Sequence, residues 1–432
     1  MNIITALTKT KEQRMKNTQS QNIPELSGNF DKDLLQEVAA QFGTPLYVYD
    51  FDRIAEKYEQ FKLAFAGRKA MICYALKANS NLSVIQKLAS LESGADCVSL
   101  GEIERAILAG IPKYKIIYSG VGKQEFEIKE SLKIGILFIN IESREEMLCV
   151  EACAKELGIP ARISVRVNPD IDPQTHPYIS TGLKENKFGV SIEESKSIYL
   201  YAHNSKHLEP VGIHFHIGSQ LTKLNPIAES ARKIAQLAHS LLALKIDIKF
   251  FDIGGGIGIT YSDEIAINPY DYAQAILEEL RGLDLTIICE PGRFIVGNSG
   301  VFLTKVLYQK THQNKRFVIV DGAMNDLIRP SLYSAYHQIA PLNVESQDIS
   351  VADVVGPICE SSDYLGKNIS LPLLQKGDML AVLSAGAYGF SMSSNYNSRL
   401  RCAEVALEKG KARLIRRRES LEDLIALEKD YL

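Results

Sequence analysis

Between residues 70 and 297 an apolar, strand-like run returns eight times, as "AMICYAL", "GADCVS", "KIIYSG", "ILFINI", "ARISVRV", "VGIHFHIG", "FFDIGGG" and "LTIICEPG". Segments with helical spacing of apolar residues fill the gaps, among them "NLSVIQKLASLE", "GEIERAILAG", "REEMLCVEACAKELG" and "AESARKIAQLAHSLLAL". Strand alternating with helix implies a parallel sheet with helical crossovers. Eight such units in about 250 residues fit a closed (β/α)8 TIM barrel, with a doubly wound open sheet as the alternative. After residue 297 the rhythm stops. "GVFLTKVLYQKT", "KRFVIVDGA", "ISVADVVGPI" and "DMLAVLSAGAY" read as strands joined by turns, with little helix.

The domain expectation follows: a disordered polar tail over residues 1–27, an N-terminal segment over 28–48, a barrel over 49–297 and a C-terminal β domain over 298–432. The segment 28–48 holds an amphipathic helix, "DKDLLQEVAAQFG", and one strand, "PLYVYD". A lone strand before a barrel needs a sheet to join, so it is expected to pack with the C-terminal domain. "LIRRRESLEDLIALE", with Arg416, Arg417 and Arg418 in a row, reads as a solvated face.

Composition narrows the function classes. Net charge is −3 and no basic stripe interleaved with aromatics occurs, which argues against nucleic acid. No apolar stretch reaches the roughly 20 residues of a membrane helix. The basic tail lacks the apolar core of a signal peptide. Seven cysteines with no C-x-x-C suit a reducing compartment, the cytoplasm. His214 and His216 lack a metal-binding spacing, so no metal is expected.

In such a barrel the working groups sit at the C-terminal ends of the strands. Lys77 closes the first run and Asp96 lies in the second; His214 and His216 lie in the sixth. Gly254, Gly255 and Gly256 end the seventh; Glu290, Pro291, Gly292 and Arg293 end the eighth. Singly, each has a plain structural explanation: a solvated lysine, a hydrogen-bonded core histidine, a Glu290–Arg293 pair. Their convergence on one rim is the functional signal. "GGGIGITY" fails G-x-G-x-x-G, because the sixth position is Ile259 from Gly254 and Tyr261 from Gly256. Three consecutive glycines still suit a phosphate. A lysine, a phosphate cradle, an imidazole, a carboxylate and an arginine together match pyridoxal phosphate, whose ring nitrogen wants an acidic partner.

The sequence resembles the fold-type III pyridoxal-phosphate-dependent decarboxylases from about residue 30 to the C-terminus. The motifs that carry the resemblance are "YALKAN", "GADCVSLGE", "HPYISTGLKENKFG", "HFHIGSQ", "DIGGGIG", "EPGRFIVG", "MNDLIRPSLY", "GPICESSD" and "GAYGFSMSSNYNSR". It implies a barrel of the alanine-racemase type and pyridoxal 5'-phosphate held as a Schiff base on Lys77. His216 would stack on the ring, Ser219 and Gly254–Gly256 would hold the phosphate, Glu290 would face the ring nitrogen, and Asp96 would lie beside Lys77. Pro291, Gly292, Arg293 and Tyr388 would complete the cofactor site.

For the substrate, the resemblance implies Arg293, Arg329, Tyr333, Glu360 and Tyr388. Cys359, the proton donor, and Glu360 would reach across a homodimer into the partner's site. The reaction implied is conversion of meso-2,6-diaminopimelate to L-lysine and CO2, the last step of lysine biosynthesis. Alternatives are a decarboxylase of carboxynorspermidine or a basic amino acid, a racemase, and a non-catalytic protein that binds the cofactor. Glu290 opposes the racemase, whose family members set an arginine at the ring nitrogen. Lys77 and Cys359 oppose the non-catalytic reading.

Overall fold

The computed structural model describes Leu26 and residues 30–432, apart from positions 174, 176–180, 184, 343, 345 and 347. The expected tail, residues 1–27, thus lies outside the described residues except for Leu26, as does the "HPYIS" part of one motif.

The chain enters through a helix, Lys32–Phe42, whose first turn is capped by the Asp31 side chain and whose last residue is followed by Gly43 at φ 74°. Strand β1 (Leu46–Asp50) follows, buried throughout. Its residues alternate between two cores, as period-2 geometry requires. Leu46 and Val48 pack with Leu35 and Val38 of the helix, while Tyr47 and Tyr49 join the larger cluster on the other face. Both tyrosines place their hydroxyls on acceptors, the Asp326 carbonyl and Glu404 Oε1, each at 2.8 Å. A buried phenol needs such a partner.

Helix Phe51–Ala64, capped by Asp50, carries the chain into the barrel. The barrel strands are β2 (Ala70–Ala75), β3 (Gly94–Cys97), β4 (Ile116–Tyr118), β5 (Phe138–Ile141), β6 (Ala161–Arg166), β7 (Leu208–His214), β8 (Phe250–Asp252) and β9 (Thr286–Cys289). Every neighbouring pair is parallel, and β9 closes on β2 with Ile287 opposite Ala70. Each sequence run with strand character holds one of these strands, and the open-sheet alternative falls. The helices between them turn alternating apolar faces inward; in Asn225–Ala243, for example, Ile227, Ala231, Ile234, Ala238 and Leu241 are buried.

The remaining strands are β10 (Gly300–His312), β11 (Lys315–Val320), β12 (Ile339–Pro341), β13 (Ile349–Val355), β14 (Tyr364–Pro372), β15 (Met379–Val382), β16 (Ala403–Glu408) and β17 (Lys411–Arg416). They form one mixed sheet with β1, in the order β14-β13-β11-β10-β1-β16-β17, with β15 pairing β10 and β12. β1 runs antiparallel to β10 and parallel to β16. The segment "RPSLY", which could pass for a turn around Pro330, is a short helix, Arg329–Tyr333. The arginine run is not simply solvated: Arg416 stacks over Phe390, Arg417 pairs with Asp423, and Arg418 donates to the Pro45 carbonyl at 2.7 Å. A guanidinium's rigid fork of donors favours such fixed contacts.

Among the described residues, no helix is long and apolar enough to cross a membrane.

Candidate active site

The site grows from the ends of β2, β3, β7, β8 and β9. After β2 the backbone tightens into a single 3-10 turn, Leu76–Ala78, which lifts Lys77 out of the wall. Its Nζ lies 2.7 Å from Oδ2 of Asp96, on the neighbouring strand β3. Burial pushes the ammonium pKa down, but Asp96, Tyr388 and Glu290 outweigh it, and the net shift is upward. Lys77 is half-buried, and these charges override the free amine that desolvation alone would favour. In this arrangement Lys77 is a paired cation, and its proton must leave before the amine can act as a nucleophile.

The Asp96 carboxyl is fully buried, and Oδ1 has no hydrogen-bond partner. Glu290, at the end of β9, is 5% exposed with Oε1 likewise unpartnered. Burial alone would raise the Glu290 pKa; His214, whose Nε2 stands 3.6 Å from Oε2, together with Lys77 and His216 holds it well below the usual carboxylate range. Asp252 goes the other way. Burial and the Glu290 charge drive its pKa well up, so the proton in this carboxyl pair resides on Asp252. One ligand atom each from His214, Asp252 and Glu290 lie within 4.8 Å of one another. A metal ion could fit those three by distance alone. With a proton on Asp252, the Glu290 carboxylate is the anionic member of that carboxyl pair.

His216 is half-buried, and desolvation with the nearby cations Arg166 and Lys77 lowers its pKa well below 6.5. Its imidazole is therefore neutral at physiological pH. The glycine run lies next to it. Gly254 adopts φ +64°, and a Cβ on Gly255 would stand 2.2 Å from the Glu290 carbonyl oxygen. No side chain fits there, because the run is threaded between the ends of β7 and β9. Arg293, on the helical turn after β9, donates to Ser219 Oγ at 3.0 Å and to the Tyr261 hydroxyl at 2.6 Å. Its guanidinium lies 4.8 Å from the Tyr388 ring centroid.

Tyr388 comes from the β domain. Its φ of 57° is left-handed, an unusual conformation for a bulky residue that often marks a functional position. The turn after Lys77 secures it: the Tyr388 amide donates to the Ala78 carbonyl at 2.8 Å, and Asn79 Nδ2 donates to the Gly386 carbonyl at 3.3 Å.

These groups line two adjoining cavities. A deep one of about 30 Å³ is walled by Lys77, Gly255, Gly256, Glu290, Gly292 and Arg293. An outer one of about 440 Å³ is walled by Lys77, His216, Ser219, Tyr261, Arg329 and Tyr333, among others. Tyr388 borders both. A wider groove of about 1020 Å³, at Asp170, Thr222, Asn225 and Asn268, contains none of the sequence's candidates. Pro291 is buried and accepts from the Ala75 amide, so it fastens β9 to β2.

Cys359 and Glu360 stand apart. Both are exposed on the turn between β13 and β14 and border neither cavity. The Cys359 amide donates to Asn397 Oδ1 at 3.0 Å, and Glu360 accepts from Ser362 and from the Tyr396 hydroxyl.

Tyr261, Gln220, Asp252 and His337 have places in or behind the site that the sequence reading missed. Asp252 offered a signal, a carboxylate inside the apolar run "FFDIGGG". Tyr261 and His337 sit in irregular segments and offered none.

The cavity fits pyridoxal phosphate by its own chemistry. It has an amine, a neutral flat imidazole, a buried anionic carboxylate with a free oxygen, and a wall of bare glycine backbone at Gly255 and Gly256. A family model described as "Pyridoxal-dependent decarboxylase, pyridoxal binding domain" matches residues 51–297. The diaminopimelate decarboxylase of Helicobacter pylori strain J99 is 59% identical over 394 residues, 91% of this chain and 97% of the relative. That of Campylobacter jejuni is 57% identical over 398 residues, 92% of this chain and 99% of the relative. A crystal structure of the Helicobacter pylori enzyme complexed with L-lysine matches with a TM-score of 0.90 at 58% identity, covering 92% of this chain and 100% of that one. A pyridoxal-binding domain over more than half the chain, and relatives this similar over nearly all of their own length, lead to one conclusion: the chain belongs to the pyridoxal-dependent decarboxylases, within the diaminopimelate decarboxylase family.

Proposed function

We propose that this chain removes one carboxylate of meso-2,6-diaminopimelate as CO2 and releases L-lysine. The observation that carries the reading is a two-ended cavity, with Lys77 and the Glu290 carboxylate at one end, Arg329 at the other, and Arg293 bordering both parts between them. A substrate with a second amino-acid group needs cations at the remote end. A site for lysine or ornithine would need acceptors there instead.

Lys77 would hold pyridoxal phosphate covalently, with its phosphate on Ser219 and the amides of Gly254–Gly256 and Gly292. Bound there, the cofactor supplies an electron sink for the pair left on carbon when CO2 departs. Glu290, anionic before the reaction begins, keeps a proton on the group it faces, a preorganised charge that needs no rearrangement. His216 offers a neutral face. Asp96 orients Lys77 and is positioned to hold the proton that the ammonium gives up. Tyr388 excludes water from above. Arg293, Arg329 and Tyr333 bind the remote carboxylate.

The proton that replaces CO2 needs a donor. We infer that Cys359 of a second copy supplies it, and that Glu360 of that copy meets the remote ammonium, in a homodimer. Support comes from their exposure on a turn that borders neither cavity of their own chain. All seven cysteines are free, which supports a cytoplasmic setting.

Supplying purified chain with pyridoxal phosphate and meso-diaminopimelate should release CO2 and L-lysine in equal amounts, dependent on the cofactor. Absence of lysine, with a diamine formed from a basic amino acid instead, refutes the reading.

A further inference from the structure

Arg329 is 6% exposed, and its guanidinium is held on two sides. Its carbon lies 4.8 Å from the Tyr261 ring centroid, and Nη1 lies 2.8 Å from Nε2 of His337. His337 is 1% exposed, and its Nδ1 lies 2.8 Å from the Leu383 carbonyl oxygen. A guanidinium can only donate and a carbonyl can only accept. The tautomer is therefore forced: Nε2 is bare and accepts from Arg329, while Nδ1 carries the hydrogen and donates to Leu383. An imidazolium would set an N–H against the guanidinium. Burial together with the charges of Arg329 and Arg293 keeps that form away, lowering the His337 pKa to about 3.

The mounting is rigid. His337 stands two residues before β12, and Leu383 directly follows β15. These strands pair antiparallel, with Ile339 opposite Val382, and the Leu383 amide donates to the Gln338 carbonyl at 2.8 Å. The imidazole thus spans the end of a strand ladder. Tyr261 meets the same ring edge-on at 5.5 Å and accepts from Arg293 through its hydroxyl.

We propose that His337 is a positioning residue for substrate selection, fixing the Arg329 guanidinium toward the remote carboxylate and so setting the preference for ligands that carry one. The inference rests on the reading of the cavity given under Proposed function. Without a bound acceptor, a long arginine side chain samples several rotamers and loses affinity for a carboxylate while leaving the reacting end undisturbed.

Two ligands separate the effects. L-lysine retains an amino-acid carboxylate, and cadaverine is the same chain without it. Titration calorimetry on the enzyme loaded with pyridoxal phosphate should show wild type binding L-lysine in preference to cadaverine. His337→Phe, which has no acceptor, should weaken L-lysine about 10- to 100-fold and leave cadaverine within about twofold. KM for meso-diaminopimelate should rise by a similar factor, with kcat changing less. His337→Gln sets an amide oxygen where Nε2 stood and should recover most of the preference. If His337→Phe does not fold, His337→Asn serves, since it keeps the donor toward Leu383 and its shorter side chain holds the amide oxygen back from Arg329. A wild-type enzyme that binds cadaverine as tightly as L-lysine overturns the function reading itself. A wild-type preference that survives in folded His337→Phe or His337→Asn overturns this inference alone.

Discussion

The two ends of the cavity are built on opposite principles. At the reacting end, Asp96, Asp252 and Glu290 crowd around Lys77 and His214, all on strand ends whose positions are set by the barrel ladder. Toward the remote end, Arg329 and Arg293, which also walls the deep cavity, are held by neutral partners, Tyr261, His337 and Tyr388, drawn from loops and from the β domain. Opposite charges face one another inside the first end, Lys77 against Asp96. In the second, two buried guanidiniums face neutral groups among the contacts described. A buried cation without a paired carboxylate is costly unless a ligand supplies the anion. On the proposed reading the labour divides: the barrel would fix the bond-breaking end, and the junction with the β domain would fix which molecule is accepted.

Changes at the two ends should therefore fail differently. The largest effect belongs to Lys77→Ala, expected to lower kcat by about 10³-fold or more and to abolish the visible absorption of bound cofactor. Retained cofactor absorption would remove Lys77 from its role. Glu290→Gln keeps the shape and removes the charge; kcat should fall about 10²- to 10³-fold with KM nearly unchanged. A change in KM alone would erase the contrast between the ends.

Arg329→Ala should do the reverse, raising KM about 10- to 100-fold through loss of a charge-assisted contact. Mixing Lys77→Ala with Cys359→Ala protein would sharpen the picture in another direction. About half of wild-type activity per mixed dimer, or about one quarter over a randomly exchanged 1:1 mixture, is expected if each site draws Cys359 from the other copy. No recovery, with subunit exchange verified by mass spectrometry, contradicts the shared site.

The last effect concerns stability and leaves catalysis aside. His337 has a folded pKa near 3 against an ordinary value of 6.5, so the unfolded chain binds the extra proton between those pH values. Its contribution to stability is complete above pH 6.5 and is lost as pH falls toward 3, at up to about 1.4 kcal/mol per pH unit. Denaturant unfolding of His337→Gln should show a shallower acid slope than wild type; identical slopes would mean that His337 is not buried neutral.

The same contrast explains what could be read before the fold was known. Strand ends recur with the barrel rhythm, so Lys77, Asp96, His216, Gly254–Gly256 and Glu290 announce themselves as polar or glycine residues closing apolar runs. The structure brings Lys77, His216, Gly255, Gly256 and Glu290 around one cavity, with Asp96 hydrogen-bonded to Lys77. Loops carry no period, and Tyr261 and His337 are 76 residues apart in sequence (337 minus 261) yet touch edge to face. No local pattern encodes that contact. Protonation was also out of reach, because the net rise of the Lys77 pKa depends on carboxylates that only the closed barrel places nearby.

The most direct test of the two-ended account is the ratio of kcat/KM for meso-diaminopimelate to that for L-lysine as a decarboxylation substrate on the same enzyme. L-lysine bound for decarboxylation would set its ammonium against Arg293 and Arg329, a like-charge contact with no carboxylate to relieve it. The account predicts a ratio of about 10³ or more. Comparable rates, with cadaverine accumulating from L-lysine, would contradict it.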